Sequence, residues 1–370
     1  MIKNKWYGIL PSKKVKKGDI VGIKRFGTNL VLFRTEDGKL SCLTDVCSHR
    51  GASLSQGNIK DNCIKCPFHG LEFNSQGECE LVPALGIENQ ENLDRFNLKS
   101  YKVVEKFDII FVFYGDDEEK SKEPAPFDLL GEYIDDSFVY SELQDPWNTH
   151  YSRAIENQLD VVHLPFVHYN TIGRGNKTLV NGPKVIAKDD SLIITSANNE
   201  VDHGQKPKAN KDAVIKETNL NFLFPNVWIN RVSDKIKIVI FFAPVDDENT
   251  VLFIRFYNKI TGFKPVDKLI AFFGRYGNKV VERQDKRVVI NELPKRSSLK
   301  MGEHLVPGDL PIIQYRKIRE KLIQENNTDG KQKAQAKKIK IIKLINKKTN
   351  KTGQMIKILP KARKIVKLKK

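Results

Sequence analysis

Short apolar runs separated by turn residues mark the first 115 positions of the chain. Asn29–Arg34 reads Asn-Leu-Val-Leu-Phe-Arg, and after Asp37-Gly38 the chain resumes as Leu40–Leu43. Two apolar runs across an Asp-Gly pair predict a hairpin, because these residues tolerate the positive φ of a tight turn. Asp108–Tyr114, Asp-Ile-Ile-Phe-Val-Phe-Tyr, predicts a buried strand. Together these signals predict a small all-β domain over 1–115. Gly115–Pro126 is charged and ends in Pro-Ala-Pro, which places a linker at 116–127. Beyond it, Tyr151–Val162 alternates apolar and polar residues at helical spacing. Leu220–Asn230, Lys235–Ala243 and Val251–Tyr257 read as strands, and Lys264–Arg287 reads as a helix. Strands flanked by helices predict a second domain over 128–329, making the chain α+β. No internal repeat is visible. A Lys-rich tail, 330–370, closes the chain.

Composition changes this picture in two ways. The net charge of +18 over 370 residues suggests a nucleic-acid binder. Yet residues 331–370 hold 16 Lys or Arg and no acid, which leaves 47 basic against 45 acidic residues before them. The body is near neutral, and the excess charge belongs to the tail. The five cysteines, Cys42, Cys47, Cys63, Cys66 and Cys79, all lie in the first 80 residues. An odd count without an export signal suits reduced thiols in the cytoplasm, some of them metal ligands. No apolar run approaches the ~18 residues of a membrane-spanning helix.

Two Cys-His pairs carry the first chemistry. Cys47-Ser48-His49-Arg50-Gly51 and Cys66-Pro67-Phe68-His69-Gly70 are separate short loops with 16 residues between His49 and Cys66. Thiolate and imidazole together suit zinc or an iron–sulfur cluster. A Rieske centre holds one iron by two Cys and the other by two His. Zinc sites more often pair Cys with Cys and His with His. A structural Cys₂His₂ zinc site and a redox Cys63-x-x-Cys66 pair remain the alternatives on residue types alone. The spacing Cys-x-His-x16-Cys-x2-His, with Trp6-Tyr7, Asp45-Val46 and Ala52 around it, resembles the Rieske domain of ring-hydroxylating oxygenases. The resemblance covers about Lys5–Tyr114.

The second constellation is Asp160-Val161-Val162-His163-Leu164-Pro165-Phe166-Val167-His168. On a continuous helix, Asp160 and His163 share a face, and Pro165 then breaks it. Two nearby histidines supply two ligands of a two-His-one-carboxylate triad for non-haem iron. The segment resembles the Asp-x2-His-x4-His iron motif of the same family. The N-terminal words most resemble the single-subunit monooxygenase and demethylase branch, which includes vanillate- and dicamba-type enzymes. The resemblance implies a late-helix carboxylate as third ligand, which selects Asp285, with Glu282 one turn earlier as competitor. It implies that the second domain is a helix-grip fold, a curved antiparallel sheet around a long helix. It also implies that Asp160 carries electrons from a cluster ligand, His69 of a neighbouring subunit, to His163.

The function so implied is the oxygenase component of a multicomponent system. Its cofactors would be a [2Fe-2S] cluster on Cys47, His49, Cys66 and His69, and Fe(II) on His163, His168 and Asp285. Dioxygen would be the co-substrate. Electrons would come from NAD(P)H through a flavin- or ferredoxin-type reductase, and a small organic substrate would be hydroxylated or demethylated within a homotrimer. The rival classes are an electron-transfer protein without oxygenase activity and a zinc-stabilised binding module. In the tail, isoleucines and leucines alternate with lysines, a pattern for an anionic membrane or nucleic acid as well as for a solvated extension.

Overall fold

The N-terminal strand Lys5–Pro11 pairs antiparallel with Ile109–Tyr114, which pairs in turn with Val103–Lys106. The chain is described by a computed structural model over residues 1–328. Met1–Ile323 forms one compact unit, and the account below concerns it; in the second unit, residues 324–328 are helical. The expected tail lies outside the described residues.

Two small antiparallel sheets complete the first region. Ile20–Arg25, Thr28–Arg34, Leu40–Thr44 and Ser100–Tyr101 form one, with the expected hairpin in register Arg34↔Leu40. Asn58–Lys60, Cys63–Lys65, Glu72–Phe73 and Cys79–Leu81 form the other. Val31, Phe33, Leu43, Leu54, Ile64 and Phe73 are buried between them, together with Cys47 and Cys66.

The second region is a seven-stranded antiparallel sheet. Its order is Val139–Trp147, Thr250–Asn258, Ile236–Pro244, Val227–Arg231, Leu220–Leu223, Leu192–Ser196 and Lys184–Lys188. Both faces of its centre are covered. Val227, Ile229, Val239, Phe241 and Phe253 pack with Tyr7, Ile9 and Phe111 of the N-terminal sheet. Phe222, Trp228, Ile240, Phe242 and Leu252 pack on the opposite face against helical residues such as Tyr151, Ile155 and Tyr315. Burial on both faces explains why these strands read as continuous apolar runs rather than alternating ones. One core therefore runs from the first region into the second. A Cβ on Gly8 would meet Phe241 at 2.9 Å, so the two sheets approach closely there. Asn226 fastens the contact, accepting from Gly8 N at 3.2 Å and donating to Gly8 O at 2.9 Å.

Four helices matter: α1, Pro126–Leu130; α2, Tyr151–Leu159; α3, Leu164–Val167; and α4, Lys264–Val289. α4 runs across Val139–Trp147 and Thr250–Asn258. Gly274 admits this approach, since a Cβ there would meet Phe256 at 2.7 Å.

Three local expectations need correction. Leu220–Asn230 is two strands, not one, because Phe224-Pro225-Asn226 turns the chain and proline cannot donate to a ladder. Asp160 and His163 do not share a helix. α2 ends at Leu159, and Asp160 is extended at φ −69°, ψ 128°. The Asp160 carboxylate accepts from Val162 N at 2.6 Å, a local bond that competes with helix continuation. Pro165 consequently starts a helix instead of breaking one. It sits in the first turn of α3, where its missing N–H costs nothing.

Candidate metal centres

The two Cys-His loops have one backbone design. Gly51 N donates to Cys47 O at 2.9 Å, and Cys47 N donates to Ala52 O at 2.8 Å. Gly70 N donates to Cys66 O at 3.1 Å, and Cys66 N to Leu71 O at 2.8 Å. Each loop thus closes four and five residues after its cysteine. Both glycines are left-handed, with φ +76° and +75°, a conformation that strains other L-residues. Gly70 is also crowded, since a Cβ there would meet Pro83 at 3.3 Å.

The closure sends the cysteines inward and the histidines outward. Cys47 and Cys66 are buried, while His49 and His69 are exposed with ring centroids 4.6 Å apart. Burial pushes the Cys47 thiol up; the amides of His49 and Arg50 favour the thiolate, and the adjacent Cys66 opposes it. His69 is held below the usual imidazole range by desolvation, then by His49 and Arg50. A single zinc ion, with bonds of about 2.0–2.3 Å, needs all four ligand atoms packed around one point. Among the described residues, no such group of three or more includes these four. Thiol beside thiol and imidazole beside imidazole fits two irons better than one zinc.

The second centre does gather around one point. Ligand atoms of His163, His168 and Asp285 lie within 4.8 Å of one another. Asp285 Oδ1 is 2.9 Å from His168 Nε2 and 3.5 Å from His163 Nε2. The two histidines flank α3, and Asp285 comes from the inner face of α4. His168 is fully buried and Asp285 nearly so. Apart from facing each other, His168 Nε2 and Asp285 Oδ1 are buried without a hydrogen-bond partner, a costly arrangement that a cation bound by both would relieve. Burial lowers the His168 pKa, but the Asp285 contact outweighs it, so the net shift is upward.

The surrounding residues orient these ligands. His168 Nδ1 faces Gln284 Oε1 at 2.9 Å. An amide oxygen only accepts, so the ring proton sits on Nδ1 and Nε2 is free to bind a metal. Thr171 Oγ1 donates to the same oxygen at 2.8 Å, and Gln284 Nε2 donates to Asn170 Oδ1 at 2.7 Å. Gln158 Nε2 lies 3.4 Å from Asp285 Oδ2. Sequence reasoning assigned nothing to Gln284, Gln158, Asn170 or Thr171. The available signal was adjacency: Gln284 directly precedes Asp285, and Asn170 and Thr171 follow His168.

The competitor Glu282 points elsewhere. Trp147 Nε1 donates to it at 2.6 Å, and burial followed by Asp145 raises its pKa to about 8. Asp160 stands 3.4 Å from His163 Nδ1. Among the described residues no hydrogen bond or ion pair joins Asp160 to His69. His150 is the buried N-cap of α2. His203 and His304 are exposed.

Comparison with known proteins agrees with this geometry. Residues 5–102 match the Rieske [2Fe-2S] domain, and residues 147–325 match the vanillate O-demethylase oxygenase C-terminal domain. Chlorophyllide a oxygenase, chloroplastic, of Arabidopsis thaliana is 30% identical over 47% of this chain and 30% of its own length. The oxygenase component of dicamba O-demethylase from Stenotrophomonas maltophilia is 30% identical, over 45% of this chain and 48% of its own. The oxygenase component of 3-ketosteroid-9-alpha-monooxygenase from Rhodococcus rhodochrous is 31% identical over 44% and 43%. The chain thus spans less than half the length of these relatives. Among solved structures, Pseudomonas putida CBB5 NdmA aligns with a TM-score of 0.68 at 20% identity, covering 88% of this chain and 92% of that one. Dicamba monooxygenase bound to dicamba aligns at 0.66 and 19% identity, covering 89% and 99%. These likenesses establish the fold.

Proposed function

The chain belongs to the Rieske non-haem iron oxygenase family, and from that premise we propose that it is the oxygenase component of a multicomponent enzyme. The observation that carries the proposal is the convergence of His163, His168 and Asp285 in a chain that also holds two Cys-His loops. Cys47 and Cys66 would hold one iron of a [2Fe-2S] cluster, and His49 and His69 the other. His163, His168 and Asp285 would hold Fe(II), leaving positions open for dioxygen and substrate. When bound, these groups supply single-electron transfer and dioxygen activation. The protein supplies the rest. Gln284 keeps the His168 proton on Nδ1, and the buried carboxylate of Asp285 would balance the metal's charge.

We further infer that Asp160 bridges His163 to His69 of a neighbouring subunit in a homotrimer. Supporting this, the chain's own His69 is exposed and unbonded to Asp160. Exposed apolar residues surround both ends of the path: Phe68 beside His69, and Phe166, Tyr169 and Ile172 around His168. A reductase fed by NAD(P)H would deliver the electrons, and the substrate would be a small organic molecule that is hydroxylated or demethylated. Among the described residues no helix is long and apolar enough to cross a membrane. A cytoplasmic setting suits the five free thiols.

The test is oxygen uptake by anaerobically purified protein with a surrogate reductase and a panel of methylated aromatic and polycyclic substrates. Substrate-dependent uptake with an oxygenated product supports the proposal. A protein that is reduced and reoxidised normally but never forms an oxygenated product, with iron loaded at Asp285, would sink it.

A further inference from the structure

α4 carries a second pattern, on the side away from Asp285. Val266, Leu269, Phe273, Tyr276 and Val280 recur at alternating intervals of three and four residues, which aligns them along one side of the helix. They are 41%, 58%, 62%, 50% and 50% exposed. The buried residues Asp267, Ala271, Glu282, Asp285 and Val289 occupy the other side. The outward side of a surface helix is ordinarily polar. Here it is an apolar stripe about 21 Å long, and contiguous exposure of this kind marks a surface that binds something.

The charges of α4 are divided the same way. All three of its acids, Asp267, Glu282 and Asp285, are buried. Asp267 is held by Thr261 N at 2.9 Å and Gly262 N at 3.1 Å. Lys286 pairs with Asp145 on the strand beneath, and Glu142 of that strand is taken up by Arg255 and Lys13. Lys264, Lys268, Arg275, Lys279, Arg283 and Arg287 make no ion pair among the described residues, and all but the half-buried Arg275 are exposed. Arg275 lies over the rings of Phe272 and Tyr276, 4.8 and 5.3 Å from their centres. Lys268, Arg275 and Lys279 form a row along one flank of the stripe.

The placement of the arginines decides what kind of partner fits. A stripe at alternating three- and four-residue spacing suits the seam of a second helix, from another copy or another protein. The same spacing continues, however, into Arg283 and Arg287. A helix seam would desolvate both guanidiniums, which is costly without an acid to meet each of them. A second copy brings only further unpaired cations on this face. A layer of lipid phosphates meets every one of these demands. It takes the aromatic and aliphatic side chains at the headgroup–acyl boundary, attracts Arg and Lys, and leaves their charged heads hydrated. Residues 331–370, with 16 Lys or Arg and no acid, are drawn to the same kind of surface.

We propose that the outward face of α4 docks on an anionic phospholipid bilayer. The helix lies along the membrane plane. Leu269, Phe273 and Tyr276 enter the headgroup–acyl boundary, and Lys268, Lys279 and Arg283 meet the phosphates. The inner side of the same helix carries Asp285, so this attachment holds the region of the triad at the lipid surface.

The probe is a vesicle of phosphatidylcholine mixed with phosphatidylglycerol, compared with phosphatidylcholine alone. The full chain should sediment with the mixed vesicles and stay in solution with the neutral ones. Leu269→Glu combined with Phe273→Glu should weaken that binding by about tenfold or more, since it removes apolar area and adds repulsion. Both positions are exposed, so the Tm of this variant should match wild type. Phe273→Trp reads α4 directly: its emission should shift to the blue on mixed vesicles and be quenched by lipids brominated on their acyl chains. Absence of vesicle binding overturns the proposal, as does equal binding to neutral vesicles. Binding that survives the double substitution, with no quenching at position 273, also overturns it and assigns the attachment to residues 331–370 alone. If the double substitution instead dissociates an assembly of wild-type chains in sedimentation velocity without lipid, the face belongs to a second copy and the proposal falls.

Discussion

The two proposed metal centres are built in opposite ways. The Cys-His loops close on themselves through backbone bonds that reach no further than five residues beyond Cys47 or Cys66. The triad is gathered from distant places, with Asp285 reaching His168 across 117 positions and Gln284 orienting His168 across 116. The first centre puts its histidines in solvent, where a partner can approach. The second buries His168 and Asp285, where a reactive site must be screened. A relay needs an exposed edge and a catalytic centre needs an enclosed one, and the chain supplies each through a different kind of contact.

The sharpest break between them is ligand removal. Asp285→Ala should lose the mononuclear iron and cut product formation by about 10³-fold or more, the scale of removing a group essential to the transition state. The visible and EPR signatures of the cluster should stay intact. Cys66→Ser should do the converse, bleaching the cluster while His163, His168 and Asp285 still bind Fe(II) or a Co(II) surrogate. Loss of both centres in either variant would show that the two are not independent.

A smaller effect sharpens the contrast at the level of support. Gln284→Ala should weaken Fe(II) affinity by about 10–100-fold, the usual effect of removing a ligand's orienting partner. Titration with Fe(II) under anaerobic conditions reads it, and the cluster spectrum serves as the internal control. No change in affinity would mean that Gln284 does not set the His168 tautomer.

Glu282 tests whether α4 is tuned beyond the triad. Its folded pKa of about 8 lies above its ordinary value of 4.5, so the folded state holds the proton more tightly. Stability from this group is fully present below about 4.5 and is lost as pH rises through about 8. Wild type should therefore soften between pH 5 and about 8 in denaturant melts. Glu282→Gln keeps an acceptor for Trp147 and should show a flatter profile over that window. Identical profiles would remove Glu282 from the account.

The smallest effect concerns the loops. Gly51 has open space around it, so Gly51→Ala meets only the cost of a left-handed backbone, about 1–2 kcal/mol. Gly70→Ala adds the Pro83 contact and should cost more. Both should lower cluster retention on mild heating and leave Fe(II) binding at the triad unchanged.

How much of this was legible in the chain follows the same division. The hairpin at Asp37-Gly38, the strand at 109–114, the long helix α4 and the Cys-His loops could be read directly, because short-range turn and periodicity rules fix them. The path from Asp160 to His163 could not. A carboxylate bond to Val162 N ended the helix that periodicity extended, and Pro165 then opened a new one. The choice of Asp285 over Glu282 was open on spacing alone, since both lie on one helix. Packing settled it by turning Glu282 toward Trp147 and Asp145 and Asp285 toward the histidines.

The sequence by itself marked the candidate cluster ligands, the fold class and the candidates for the triad. Those features rest on residue type and local spacing, which survive without knowledge of the fold. Only the tertiary structure decided which carboxylate meets His163 and His168, and which amide orients His168. These depend on side chains brought together from opposite ends of the chain, and no local rule records which of several equivalent acids or bases the packing will choose.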